Sequence, residues 1–198
     1  NDLSAGNLSL REAVRLADTS GFTGASISFA NGLSGTIVMG SQLQLFGTLT
    51  INGDTNGDGL ADITLSGDSN QNGINDAGDT RHLEIVSGNT RLEALTLEDG
   101  FASDDGGSIR TGGAGALELS NVTLRNNTAG TYGGAIATRG TVLARDVTFA
   151  DNSAGTVGGA VALRVSNIDA ANVTFSGNTA TSYGGALYSL GGTRIFAN

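Results

Sequence analysis

The feature that most constrains this chain is a phrase spoken three times in its C-terminal third. Leu124-Arg125-Asn126-Asn127 is followed by Gly133-Gly134-Ala135-Ile136, Phe149-Ala150-Asp151-Asn152 by Gly158-Gly159-Ala160-Val161, and Phe175-Ser176-Gly177-Asn178 by Gly184-Gly185-Ala186-Leu187. The copies stand 25 or 26 residues apart and carry no helical apolar stripe, which is the mark of a solenoid. In Val147-Thr148-Phe149 and Val173-Thr174-Phe175 apolar residues alternate with Thr, so Val and Phe share one face of a strand and Thr the other. One repeat offers too little apolar surface to stand alone and must stack on the next at about 4.8 Å. A coil of this length fits one turn of a parallel β-helix. The expected fold is all-β, a right-handed parallel β-helix with an N-terminal capping α-helix.

The turns carry the same message. Asn127, Asn152 and Asn178 recur at one register; Asn tolerates left-handed backbone angles, and stacked Asn side chains can bond along the axis as a ladder that satisfies turn amides. The Gly-Gly pairs supply positive φ and close backbone approach at the opposite corner. No helix or Lys follows them, so they are not phosphate cradles. The paired GGAI and FxxN tetrapeptides resemble the repeats of the polymorphic outer-membrane proteins, surface passengers and adhesins first associated with chlamydiae. The resemblance covers about residues 94–198, with Leu124 standing where that motif has Phe. It implies a β-helix at a bacterial cell surface and is a weak signal of activity, because the repeated residues are rung-building ones.

The chain has 198 residues, enough for a single elongated domain of about seven rungs, within which we expect a cap at 1–20, irregular first rungs at 21–52, inserted loops at 53–80 and regular rungs at 81–198. Thirty-two Gly and no Pro leave every strand its amide donors. The absence of Cys excludes disulfides and thiolate metal sites, so added stability falls to stacking and to hard cations. All ten basic residues are Arg, against nineteen acidic ones, a net charge of −9. Nucleic acid and acidic membrane surfaces are therefore poor partners. No apolar run approaches the length of a membrane span. With no initiating Met and a last rung that breaks off at Asn198, the chain reads as a segment of a longer protein.

Residues 7–17 form the one convincing helix, capped by Ser9 or Asn7, with Leu10, Ala13, Val14 and Ala17 on one stripe. It is expected to plug the first rung, whose core and strand edges would otherwise be bare. Leu8-Ser9-Leu10-Arg11-Glu12-Ala13-Val14 resembles the CSLREAI motif that opens many bacterial secreted β-helix proteins, with Leu8 in place of the Cys. Ile27-Ser28-Phe29, Thr36-Ile37-Val38-Met39, Leu43-Gln44-Leu45 and Leu49-Thr50-Ile51 read as short strands of irregular rungs, and residues 98–108 as a longer lateral loop. His82, the only His, reads as a surface or hydrogen-bonded turn residue rather than a ligand or base.

Two acidic loops carry the clearest chemistry. Asp54, Asn56, Asp58 and Asp62 place oxygens at positions 1, 3, 5 and 9 of a calcium-type loop, with Gly59 at position 6. Asp68, Asn70, Asn72, Asp76 and Asp79 do so at 1, 3, 5, 9 and 12, with Gly73 at 6. Alternation turns every second side chain inward, the Gly permits the sharp turn, and the carbonyls of Leu60 and Ile74 would complete a shell of six to eight oxygens. The loops resemble those of dockerins and thrombospondin type-3 repeats, which implies two calcium ions. In the first loop Leu65 occupies position 12, so Asp62 or a neighbouring carboxylate must supply the missing ligand. Ile63-Thr64-Leu65 and Leu83-Glu84-Ile85 read as strands, making the loops insertions at the flank of the coil.

These readings point to an extracellular or cell-surface structural and adhesive module stiffened by calcium, with host or cell-surface ligands, or further copies of itself in a filament, as partners. Two alternatives stand beside it. One is a polysaccharide lyase or hydrolase on a β-helix scaffold, for which the chain lacks Lys and shows Arg125, Arg139, Arg145 and Arg164 without a shared motif. The other is an ice-binding face built on Thr96, Thr123, Thr148 and Thr174, whose neighbouring ranks are interrupted by charges.

Overall fold

The computed structural model describes residues 8–19, 24–113, 115–192 and 194–197. One helix, α1 (Leu10–Thr19), precedes strands numbered in chain order: β1 (Ala25–Ser28), β2 (Gly35–Val38), β3 (Leu43–Leu45), β4 (Leu49–Asn52), β5 (Ile63–Ser66), β6 (Leu83–Ile85), β7 (Thr90–Glu98), β8 (Phe101–Ala102), β9 (Ile109–Thr111), β10 (Leu117–Arg125), β11 (Thr128–Ala129), β12 (Ile136–Thr138), β13 (Val142–Ala150), β14 (Ser153–Ala154), β15 (Val161–Arg164), β16 (Ile168–Ser176), β17 (Thr179–Ala180), β18 (Leu187–Leu190) and β19 (Arg194–Ala197). They form three parallel sheets that are the faces of a right-handed β-helix: β1-β4-β7-β10-β13-β16-β19 with β2 and β5 alongside, β8-β11-β14-β17, and β3-β6-β9-β12-β15-β18. There are about six turns rather than seven, because the cap and the two acidic loops take up residues without adding a coil.

Register explains the core. Leu65, Leu97, Leu124, Phe149 and Phe175 lie in one inward row on successive rungs. The Phe149 and Phe175 rings stack with centroids 5.0 Å apart. Leu124, the departure from the FxxN pattern, is where this row passes from Leu to Phe. Burying a side chain such as Phe149, which is 0% exposed, contributes about 1.5–3 kcal/mol. Facing outward, Thr36, Thr64, Thr96, Thr123, Thr148 and Thr174 stand in register, extending the four-residue Thr row read from sequence.

The long strands β7, β10, β13 and β16 each turn a corner at one left-handed residue: Ala94, Asn121, Asp146 and Asn172, with φ between 47° and 56°. A second left-handed column, Asp99, Asn126, Asp151 and Gly177, ends these strands. The expectation that Asn127, Asn152 and Asn178 take left-handed angles is thus corrected by one residue. Those three follow the left-handed column and turn inward as the ladder. Asn152 Oδ1 accepts the backbone N–H of Asn127 at 3.1 Å and its Nδ2 at 2.9 Å, and Asn178 Oδ1 does the same for Asn152 at 3.0 and 2.9 Å. The Nδ2 groups of Asn127, Asn152 and Asn178 also donate to the carbonyls of Leu97, Leu124 and Phe149.

Where the ladder would continue, the chain has Gly100, whose N–H donates to Asn127 Oδ1 at 2.9 Å. The ring of His82 fills that place, with Cε1 2.8 Å from where a Gly100 Cβ would sit. His82 is wholly buried, not a surface turn residue. Its Nε2 donates to the Glu98 carbonyl at 3.1 Å, which leaves Nδ1 to accept the Ser108 hydroxyl at 3.0 Å.

The glycine corner behaves as expected. Gly133, Gly158 and Gly184 have φ of 64–66°, and a Cβ on Gly134 or Gly159 would strike the carbonyl of the next rung's second Gly. The segment 98–108, expected to be a lateral loop, is a fourth copy of the same rung. Phe101 and Ala102 pair with Thr128 and Ala129, and Gly106, with φ of 70°, leads into Ile109 opposite Ile136. Helix α1 closes the first rung with Leu10 and Val14 buried in the common core. Ser9 caps it: its Oγ accepts the Glu12 N–H at 3.3 Å while the Glu12 carboxylate accepts the Ser9 N–H at 3.0 Å. The alternative cap, Asn7, lies outside the described residues.

Two predictions follow from the ladder. Asn152→Ala removes the side-chain partner of the Asn127 N–H and of the Leu124 carbonyl and leaves Asn127 Nδ2 only the Leu97 carbonyl, at about 1–3 kcal/mol for each group that stays unpaired. Urea unfolding should show a loss of about 3 kcal/mol or more, against under about 1 kcal/mol for Thr148→Ala on the outer face. Burial lowers the His82 pKa from 6.5 to about 4, outweighing the Leu65 and Glu98 carbonyls that favour the cation. The unfolded chain therefore binds this proton at higher pH than the folded one. The resulting stability is present above about pH 6.5 and lost as pH falls to about 4, on the order of 3 kcal/mol. His82→Gln should flatten the pH dependence of the urea midpoint in that window.

Candidate metal loops

The two acidic loops leave the coil at the two ends of one strand. Residues 53–62 connect β4 to β5 and residues 67–82 connect β5 to β6, while Ile63 and Leu65 of β5 are buried. Strands β4 and β5 both pair with β7, so the first loop stands where later rungs spend the single left-handed residue represented by Ala94. The second loop stands at the ladder corner and reaches along the axis, Asn75 Nδ2 donating to the Asn126 carbonyl at 2.6 Å and the Gly100 carbonyl at 3.3 Å.

Both loops fold on the same internal pattern. The position-6 glycine donates its N–H to the position-1 carboxylate: Gly59 to Asp54 Oδ2 at 2.9 Å and Gly73 to Asp68 Oδ2 at 3.0 Å. The position-3 amide oxygen accepts the N–H of position 5: Asp58 to Asn56 at 2.9 Å and Asn72 to Asn70 at 3.0 Å. The position-5 oxygen accepts the N–H of position 7: Leu60 to Asp58 at 2.8 Å and Ile74 to Asn72 at 2.7 Å. Asn56 Nδ2 faces Asp62 Oδ1 at 3.4 Å, and Asn70 Nδ2 faces Asp76 Oδ1 at 3.3 Å. Leu60 and Ile74 keep their side chains in solvent, 66% and 62% exposed, so any service they give is through the backbone.

The loops differ in what remains unsatisfied. In the first, Asp62 Oδ2 accepts the N–H and hydroxyl of Thr55 at 2.9 and 2.8 Å, and Leu65 at position 12 points into the core. Four backbone amides, that of Gly57 foremost, hold the Asp54 carboxyl below its usual range. In the second, Asp79 Oδ2 accepts the Asp76 N–H at 2.9 Å, while Asp79 Oδ1 is buried with no hydrogen-bond partner, as is Asn75 Oδ1. Desolvation raises the Asp79 pKa, and the negative charges of Asp68 and Asp76 add to the rise. The Gly78 N–H, with the Asn72 and Asn70 amides, lowers that of Asp76. A side chain at Gly78 would collide with Asn70 Nδ2, so the loop is closed tightly on its own polar groups.

Among the described residues no three His, Cys, Asp or Glu side chains gather closely enough to hold a metal by themselves. Amide NH2 groups of Asn56, Asn70 and Asn72 lie against the carboxylates instead. Asp104 and Asp105, in the segment expected to be a lateral loop, are engaged by arginines. Asp104 pairs with the buried Arg81 and, at 2.9 Å, with Arg110; Asp105 pairs with Arg164 at 3.4 Å. Arg81 also donates to the carbonyls of Gly106 and Asp105 and to Gln42 Oε1, a clamp that sequence reasoning missed. Its signal was the Gly106-Gly107-Ser108-Ile109 phrase, 27 residues before Gly133, which marks 98–108 as rung rather than loop.

Arg125 and Arg145 lie on the outer face of the large sheet, paired with Glu98 and Asp169, while Arg139 and Arg164 lie on another face. The four do not converge. Comparison with curated proteins and with solved structures gave no match. The family model of the Chlamydia polymorphic membrane protein repeat matches residues 121–139 and 172–190. Each match runs from a left-handed corner residue, Asn121 or Asn172, through the ladder Asn and the glycine pair to the strand beyond. Residues 146–164 stand between them in register, with Asp146 and Val157 where the matched copies have Asn and Tyr. Two rungs of the chain are therefore similar to the Chlamydia polymorphic membrane protein repeat.

Proposed function

We propose that this protein is a bacterial surface module, a solenoid shaft that displays its faces for adhesion and is stiffened by calcium at the loops flanking β5. The repeat match supports the surface reading, since the repeat is named for membrane proteins and not for an enzyme family. For the described residues, no helix is long and apolar enough to cross a membrane.

The calcium reading rests on Asp79. A buried carboxylate oxygen that makes no hydrogen bond, its charge opposed by desolvation and by Asp68 and Asp76 and only partly offset by the Asp76 and Ser69 N–H groups, is costly to fold unless a cation compensates it. Asp68, Asn70, Asn72, Asp76 and Asp79 with the Ile74 carbonyl form a hard-oxygen set of the kind calcium takes. The Asn70 and Asn72 oxygens that accept backbone N–H groups each keep a second lone pair for the ion. In the first loop Asp54, Asn56, Asp58, the Leu60 carbonyl and Asp62 form a poorer set, because Asp62 is already satisfied and position 12 is Leu65. The second loop is therefore the tighter site. At a hundredfold excess of calcium over its dissociation constant, one site stabilises the fold by about 2.7 kcal/mol.

An enzyme needs titratable groups open to substrate, yet His82 is wholly buried and Asp104 and Asp105 are tied to arginines. An ice-binding face needs adjoining flat ranks, yet the Glu98–Arg125 pair stands beside the Thr row.

Calorimetry with calcium should give a tighter binding phase that Asp68→Ala abolishes and Asp54→Ala leaves in place. Asp79→Asn should raise the melting temperature in chelator and shrink the calcium-induced rise. The sign follows from the raised pKa: above it the folded state carries an unfavourable charge, and protonation or the Asn substitution relieves that cost. No heat and no calcium-dependent shift in melting would overturn the metal reading.

A further inference from the structure

On the face formed by β9, β12 and β15, the acidic chain turns locally basic. Arg110, Arg139 and Arg164 line one shallow depression with Asp105 its single carboxylate, over a floor of Ala137 and Thr138. Arg139 and Arg164 each follow a member of the registered pair Thr138 and Leu163, so their backbones stand on neighbouring rungs about 4.8 Å apart. Like charges side by side on adjacent strands repel. Asp105 relieves one of them, 3.4 Å from Arg164, and also accepts the Thr131 hydroxyl. Arg110 is held by Asp104 at 2.9 Å and lies 3.8 Å from Glu84. Arg139 is exposed, and its guanidinium has neither hydrogen bond nor ion pair among the described residues. The depression is thus short of negative charge.

Beside it runs an aromatic edge. Tyr132, Val157 and Tyr183 are bridged in register on successive rungs, which puts the two tyrosines about 9.6 Å apart along the axis. Tyr183 is 70% exposed, and the Arg164 guanidinium lies over the Tyr132 ring, 5.1 Å from its centroid. That contact joins the basic depression to the aromatic edge as one surface.

We propose that this surface binds an acidic oligosaccharide, with Arg139 and Arg164 taking the carboxylate of a uronate unit and Tyr132 and Tyr183 packing against sugar rings. A planar guanidinium pairs with a carboxylate through two parallel hydrogen bonds. A straight edge with rings two rungs apart suits a rigid chain of pyranoses, whose apolar faces stack on aromatic side chains. A polyanion as dense as nucleic acid is disfavoured by the net charge of −9, whereas uronates carry one charge per sugar. The inference is independent of the acidic loops and supplies a ligand class for the adhesive reading.

The test is calorimetric and NMR titration of the full chain with trigalacturonate, its methyl ester and sodium acetate. Trigalacturonate should bind, and more weakly as salt is raised. Arg139→Ala should weaken it by about tenfold or more, the usual consequence of losing a charged hydrogen bond. Tyr183→Ala should also weaken it, and both variants, altered at exposed side chains, should keep the wild-type melting temperature. Asp68→Ala should bind the sugar as the wild type does, which separates this site from the calcium reading. Equal binding of the methyl ester would overturn the role of the guanidinium groups. Equal binding of acetate with indifference to Tyr183→Ala would leave a simple anion site and overturn the sugar class. No binding of trigalacturonate would overturn the whole.

Discussion

Everything in this molecule depends on parallel strands holding register from one coil to the next. A parallel pair satisfies its amides only if each rung presents a donor or acceptor at the height its neighbour requires, and side-chain alternation then fixes which residues face the core. A slip of one residue between β10 and β13 would turn Val147 and Phe149 out to solvent and bring Thr148 in. The left-handed columns Asn121-Asp146-Asn172 and Asn126-Asp151-Gly177 prevent this, because each corner must fall at the same height on every rung. The ladder of Asn127, Asn152 and Asn178 adds hydrogen bonds that exist only in this register. Corners and ladder thus specify the stacking that the apolar rows stabilise.

The architecture was legible in the sequence because a solenoid writes its structure as a period. The phrases around Asn127, Asn152 and Asn178 gave the coil length, the inward face and the ladder, and Leu10 and Val14 gave the cap. What was not legible lay where the period weakens. Gly106-Gly107-Ser108-Ile109 hides a rung because Ser108 replaces the Ala and acidic residues surround it. Asn126 and Asp151 take the left-handed angle instead of the Asn beside them, a choice that composition cannot make since both positions favour it. His82 is the hydrogen-bonded alternative of the two read from sequence, and its burial was not legible because it depends on Gly100, eighteen residues further on, leaving a vacancy of the right shape. The acidic loops were legible as motifs, and Leu65 at position 12 already set the first apart, while the satisfaction of their carboxylates was not legible. It turns on Asp79 Oδ1 being buried and unpartnered and Asp62 being satisfied by Thr55, which are facts of tertiary packing.

The positions of the loops follow from the corners. A chain stacked in register cannot take up extra residues within a strand without displacing every residue after them, but a corner already leaves the ladder of backbone bonds. The first loop opens at the corner marked by Ala94 and the second at the ladder corner, so β5 keeps its pairing with β7 through both insertions. Six carboxylates within about 25 residues then meet at the ends of a single short strand. Their repulsion falls on a four-residue element with Ile63 and Leu65 as its apolar anchors. The rung most burdened with charge is thus also the one with least regular structure to resist it.

The ladder ends on the next coil, directly above that rung. Gly100 removes the side chain that would have carried the asparagine bonds one coil further, and three unrelated groups take over the work. His82 fills the space and reaches the Glu98 carbonyl, Asn75 of the second loop reaches the carbonyls of Gly100 and Asn126, and Arg81 ties the same region to Gly106, Asp105 and Gln42. Each of these bonds crosses between coils, as the ladder bonds do. The second acidic loop is therefore joined to the first ladder turn through Asn75, four residues before Asp79. Whatever compensates the buried Asp79 oxygen also fixes the loop that carries Asn75. Charge compensation on the flank and order along the axis meet in one pair of hydrogen bonds, which couples the least repetitive part of the chain to its most repetitive part.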